Sequence, residues 1–185
     1  MEALKAPYYI KAAVSSTEAP AAVPRGVFPS APPRRMSLLS KACMTCVAQL
    51  VSRCGEHILQ LPLVYASRYG ELERTHALFE EWGEYGEMSP AGFSLSVHNA
   101  TASLLGLASR NQNNSTTLAA GKNTLAMGLV EASMLCKEGS DCLLVFGDTH
   151  PQLEAAALLI GNGALTDVPE TLEELRTLWT TSFHP

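Results

Sequence analysis

Three groups of residues have types and spacings that could do chemistry. Cys43 and Cys46 form a single C-x-x-C. A structural zinc needs four ligands, and no second pair or nearby histidine completes the set. A redox pair needs a thiolate stabilised at a helix N-terminus, whereas the surrounding pattern puts both thiols several residues inside a helix. They are expected to be reduced thiols facing a core. His98 and Asn99 are adjacent, and an imidazole base beside an oxyanion-stabilising carboxamide is a workable pair. No G-x-S-x-G elbow precedes a helix, and no serine or cysteine is placed as the nucleophile. His98, expected inside a helix, is read as a buried hydrogen-bonding group.

The third group is Ser115 to Gly128, STTLAAGKNTLAMG. A strand running through small residues into a helix is a place where enzymes hold a nucleophile, because the helix dipole and free N–H groups stabilise an anion there. The turn reads Leu118, Ala119, Ala120, Gly121, and methyl groups cannot attack a thioester. Lys122 and Asn123 could touch a phosphate, but one glycine does not make a phosphate-binding loop. An ordinary helix start is the expectation. Asn99, Asn113 and Asn114 formally match the glycosylation pattern, which means nothing without a secretory route.

The elements that must position these residues are legible from periodicity. Pro7 to Val14 holds β-formers, and Ser15 to Arg35, with Pro20, Pro24, Pro29, Pro32 and Pro33, reads as a surface loop. From Ser37, a candidate N-cap, Leu38, Ala42, Cys46, Gln49 and Leu50 recur at helical spacing up to Arg53. Leu61 to Ala66 is a buried strand, and after Gly70 a second helix opens at Glu71 with Leu72, Thr75, Phe79 and Trp82 on one stripe. Gly83, Gly86 and Pro90 break the pattern before a helix over Ser94 to Arg110 that mixes leucines with small residues. Ser115 to Ala119 is a strand, a helix with Leu125, Gly128, Leu129, Ala132 and Leu135 on one face follows, and Gly139 ends it. Cys142 to Phe146 and Ala155 to Ile160 are continuous apolar strands. The alternation predicts an α/β fold with a largely parallel sheet.

Composition bounds the function. The chain has 185 residues, 46% of them hydrophobic and 17% charged, which is ordinary for one globular domain spanning 1–185 with a Pro-rich loop at about 15–35. A net charge of −5 without a basic run gives no reason to bind nucleic acid. No apolar run suits a signal peptide or a membrane span, so a cytoplasmic protein is expected. Five cysteines, an odd number, imply no disulfide framework.

From about Arg34 to Pro151 the sequence resembles the β-ketoacyl synthases of the thiolase fold, and within them the small synthase-like chain-length factors. Arg34-Arg35-Met36-Ser37 is similar to the entry of the family's first long helix, and Ala66-Ser67-Arg68-Tyr69-Gly70-Glu71-Leu72 to a strand end and turn. Ser89-Pro90-Ala91-Gly92-Phe93-Ser94-Leu95-Ser96-Val97-His98-Asn99-Ala100 resembles the segment entering the subgroup's interfacial helix, and Val145-Phe146-Gly147-Asp148 the strand after the nucleophile helix. The implied fold is a thiolase-like half, one αβ unit with a mixed, mostly parallel five-stranded sheet.

Two departures shape the implied function. Active synthases carry a cysteine at the strand-to-helix turn, where alignment puts Ala120, or Ala119 if the turn is one residue shorter. Their two catalytic histidines lie in a second half, and the sequence stops at Pro185 soon after the first. The resemblance therefore implies a chain-length-factor-like subunit with no catalytic residues, metal or cofactor. It would heterodimerise with an active synthase, shape the acyl tunnel, and meet acyl carrier protein through the complex, with aryl polyene synthesis as the pathway type. By the same resemblance Phe93, Leu95, Val97, His98, Asn99, Leu104, Thr116, Thr117 and Leu118 are interface or tunnel candidates. Two other readings stand beside it: a small acyl-thioester enzyme using Cys136, Cys142 or His98, and an unrelated α/β ligand-binding module.

Overall fold

A computed structural model describes residues 9–31, 35–136 and 140–161. The elements are β1 (Tyr9–Ser16), α1 (Leu38–Cys54), β2 (Leu63–Ala66), α2 (Leu72–Tyr85), α3 (Pro90–Ser94), α4 (Ala100–Ser109), β3 (Ser115–Leu118), α5 (Thr124–Leu135), β4 (Cys142–Asp148) and β5 (Glu154–Gly161). Short 3₁₀ turns at Glu56–Gln60 and Gly121–Asn123 lead into β2 and α5. The expected residues Pro7, Tyr8, Arg34 and Gly139 lie outside the described residues.

The strands form one sheet in the order β1-β5-β4-β2-β3. β2 pairs in parallel with both β3 and β4, whereas β5 is antiparallel to β4 and to β1. Four strands thus point one way and β5 alone opposes them, which is the mixed, mostly parallel sheet expected. Both faces are covered, as continuous apolar strands require. Leu63, Tyr65, Leu143, Val145, Ala157 and Leu159 face α1, while Val64, Ala66, Leu144, Phe146, Leu158 and Ile160 face α5, the strict alternation of a pleated strand.

Local chemistry sets the helix ends. Ser37 caps α1 by accepting a hydrogen bond from the Ser40 N–H at 3.0 Å. α5 approaches the sheet closely because Gly128 has no side chain: a Cβ there would lie 2.8 Å from the Ala66 Cβ and 3.1 Å from Leu144 Cδ1.

Two sequence expectations change. The helix expected over Ser94 to Arg110 starts only at Ala100, as α4: residues 95–99 are turns, and Ser94 instead ends the short α3 that begins at Pro90. Serines cause the break. Ser94 Oγ donates to the Ala91 carbonyl at 3.0 Å and Ser96 Oγ to the Phe93 carbonyl at 2.8 Å, and Thr75 Oγ1 donates to the Ser96 carbonyl at 3.3 Å. Local bonds of this kind compete with a continuing helix. The stripe on α2 does not face the core either: only Leu78 of that helix is buried, and Leu72, Phe79 and Trp82 are exposed.

Candidate site at the carboxyl ends of the parallel strands

Parallel strands β3, β2 and β4 deliver three turns to one edge of the sheet, residues 119–121, 67–71 and 148–150. In α/β sheets this edge is where ligands and reacting groups gather. The turn after β3 holds the position that decides the chemistry. The Ala120 N–H donates to Thr124 Oγ1 at 3.0 Å, and that hydroxyl donates onward to the Gly121 carbonyl at 2.7 Å. Gly121 has φ +58°, in the left-handed region that glycine enters without strain. The buried Thr124 thus ties the first turn of α5 to the strand end and places Ala120 between them. At this strand-to-helix turn Ala119 and Ala120 offer only methyl groups.

The other two turns are held by buried carboxylates that the sequence reading did not single out. Asp148 accepts from Ser67 Oγ at 2.9 Å, from the Arg68 N–H at 3.0 Å and from the Tyr69 N–H at 2.9 Å. This locks the end of β2 to the end of β4. Glu71 accepts through Oε1 from Ser37 Oγ at 2.8 Å, Ser40 Oγ at 3.1 Å and Thr101 Oγ1 at 3.2 Å. Its Oε2 lies 3.5 Å from Arg74 Nε. One carboxylate therefore joins the starts of α1, α2 and α4, and three hydroxyl donors with one guanidinium offset its desolvation. Neither acid carries a local signal in the sequence, because the hydroxyls they accept from lie 30 to 81 residues away and meet them only where the strand ends converge.

His98 sits in the turn before α4, not inside a helix. Its ring is 6.5 Å from the buried Tyr65 ring, and its Nδ1 is so near Gly70 that a Cβ there would come within 2.6 Å. Gly70 is thus required by space and by its φ of +56°. His98 Nε2 is buried without a hydrogen-bond partner among the described residues. Asn99 and Thr117 line a groove of about 200 Å³ with Ser103, Asn111, Asn113 and Ser115 between α4 and β3. Among the described residues β3 is the last strand of the sheet, so Thr116, Thr117 and Leu118 lie along an edge that no described strand pairs with. Phe93 and Val97 are exposed and Leu95 is half-buried. Leu104, expected at the interface or tunnel, is buried within the chain's own fold, 7% exposed. It lies on the inward side of α4 with Leu105 and Ala108.

The thiols are poor nucleophiles. Cys43 and Cys46 are fully buried in α1 and donate to the carbonyls of Phe146 and Ala155. Burial pushes Cys46 and Cys142 each up to about 12 and Cys43 well above its usual range, and Cys136 is also raised, by burial first and Asp141 second. A thiol held protonated is a weaker nucleophile than a thiolate. Among the described residues no three His, Cys, Asp or Glu side chains are grouped to hold a metal, and no helix is long and apolar enough to cross a membrane.

Comparison with known proteins agrees with this geometry. Residues 10–153 match the model of the β-ketoacyl synthase N-terminal domain. Among solved structures, the chain is similar to one described as a ketosynthase (ApeO) in complex with its chain length factor (ApeC) from Xenorhabdus doucetiae. The TM-score is 0.64 at 27% identity, covering 78% of this chain and 70% of that one. No curated protein matches. A five-stranded sheet covered on both faces, a strand-to-helix turn at its carboxyl edge and a family match over most of the chain lead to one conclusion: this chain belongs to the β-ketoacyl synthase family, through its N-terminal domain.

Proposed function

We propose that this chain is a non-catalytic, chain-length-factor-like subunit that pairs with an active β-ketoacyl synthase and helps shape the acyl tunnel. The observation that carries the reading is the turn after β3, where Thr124 holds Ala120, the residue that the family resemblance aligns with the synthase cysteine. The turn is kept and the sulfur is missing, which suits a subunit selected for shape. The similar structure named for a ketosynthase with its chain length factor supports the same assignment. In this reading residues 1–185 act as one synthase-like half-domain in the cytoplasm, and carrier-protein-bound chains reach the cysteine of the partner. Aryl polyene synthesis is the pathway type we assign. The partner-facing surface is the outer edge of β3, Thr116 to Leu118, with Phe93, Leu95, Val97, His98 and Asn99 before α4.

A paired substitution tests the placement. Val97 is 42% exposed and Leu104 is buried. Val97→Asp leaves a folded chain by circular dichroism and abolishes co-purification with a tagged ketosynthase, because it would bury an unpaired carboxylate at the interface. Leu104→Asp unfolds the chain itself. A folded Val97→Asp variant that binds as tightly as the parent places the interface elsewhere.

A further inference from the structure

Helix α2 has an apolar stripe that no described residue covers. Phe79 is 60% exposed, Trp82 54%, Tyr85 66% and, on the neighbouring α3, Phe93 58%. Leu78 is the one buried residue of the helix, and it touches the position of Gly92 in α3, where a Cβ would lie 2.9 Å from Leu78 Cδ2. A surface helix turns its apolar stripe toward whatever it packs on, and among the described residues nothing covers this one. Each aromatic buries roughly 150–250 Å² when enclosed, so four that are more than half exposed offer roughly 400 Å². That is about half of the ~800 Å² that one partner contributes to a standard interface.

The surrounding charge restricts the occupant. The helix and its exit carry Glu73, Glu80, Glu81, Glu84 and Glu87 against Arg74 and His76. Glu84, and to a smaller degree Glu81, stand close enough to the Tyr85 hydroxyl to raise its pKa. A second copy of this chain would bring acidic rims face to face, and an anionic lipid surface would be repelled in the same way. The complementary surface is a protein face with an apolar centre and an Arg or Lys rim. Phe93 and Val97 belong to the surface assigned above to the ketosynthase, and α3, which carries Phe93, packs on α2 where Leu78 meets Gly92.

We infer that the aromatic face of α2 and α3, centred on Phe79, Trp82 and Phe93, is a second anchoring surface for the ketosynthase subunit, which meets it with basic side chains around an apolar depression. The inference rests on the ketosynthase-partner reading and extends its contact to a helix outside the family-based placement.

The test measures binding of the full chain to the ketosynthase encoded in the same genome by isothermal titration at 50 mM and 300 mM NaCl. The variants are Phe79→Ser/Trp82→Ser and Glu81→Lys/Glu84→Lys, each checked by circular dichroism; Phe79, Trp82 and Glu84 are exposed and Glu81 is half-buried, so both should fold. Removing two aromatic anchors should weaken binding by about a hundredfold or more. Reversing two charges should weaken it at 50 mM and reduce its dependence on salt. Parent-like affinity in both variants overturns this inference and leaves the partner reading intact. Absence of binding by the parent chain overturns both. A parent chain that sediments as a dimer, and as a monomer after Phe79→Ser/Trp82→Ser, assigns the face to a second copy and overturns the inference.

Discussion

Gly128→Ala sets two opposed effects against each other. Replacing glycine by alanine inside a helix stabilises it by up to about 1 kcal/mol, because the unfolded chain loses freedom and the helix gains propensity. At position 128 the new methyl would lie 2.8 Å from the Ala66 Cβ and 3.1 Å from Leu144 Cδ1. Neither neighbour can swing aside, since Ala66 and Leu144 are fully buried in the middle strands β2 and β4. Overpacking of this kind costs about 1–3 kcal/mol, so the helix gain is outweighed and a net loss of about 1–2 kcal/mol is expected. Gly106→Ala in α4 is the control with the opposite sign, because its Cβ meets nothing within 4 Å and only the gain remains. Urea unfolding followed by circular dichroism reads both: the midpoint falls for Gly128→Ala, rises for Gly106→Ala, and the slope is unchanged in each. A Gly128→Ala variant as stable as the parent would refute the claim that α5 is pressed onto β2 and β4, and with it the positioning of the Ala120 turn.

Further consequences follow from the buried groups. Ser37→Ala removes the cap of α1 and one donor to Glu71, so it should cost about 1–3 kcal/mol in the same urea assay. Cys46 and Cys142 are raised from 9.0 to about 12 in the folded chain. Their protonated form is thus favoured by folding, and the stability it contributes is complete below pH 9 and lost as pH rises toward 12. Unfolding followed from pH 8 to 11 should show falling stability, with a shallower fall in Cys46→Ala/Cys142→Ala. In the native chain at pH 8, iodoacetamide should spare Cys43, Cys46 and Cys142.

Much of the fold could be read from the sequence because its strands are buried on both faces. Runs such as Cys142 to Phe146 have no polar alternative, and Gly70 and Gly121 mark their turns. The α3–α4 break was hidden, because Ser94 and Ser96 look like tolerable helix residues until their hydroxyls are seen on the preceding carbonyls. The α2 stripe was legible as a pattern but not as an exposed face, since periodicity gives the side of a helix and not what lies against it. Ala119 and Ala120 could be read as a missing nucleophile through the family resemblance. Glu71 and Asp148 could not, because their partners are up to 81 residues distant in sequence and only the convergence of strand ends brings them together.

The central claim, that this chain is the silent partner in a ketosynthase pair, is tested most directly by native mass spectrometry of the two co-expressed chains after incubation with an acyl-charged carrier protein. The account predicts a one-to-one complex in which the acyl mass sits on the ketosynthase subunit and this chain is unmodified. An acyl adduct on this chain, or two chains that fly separately under conditions where each is folded, would contradict it.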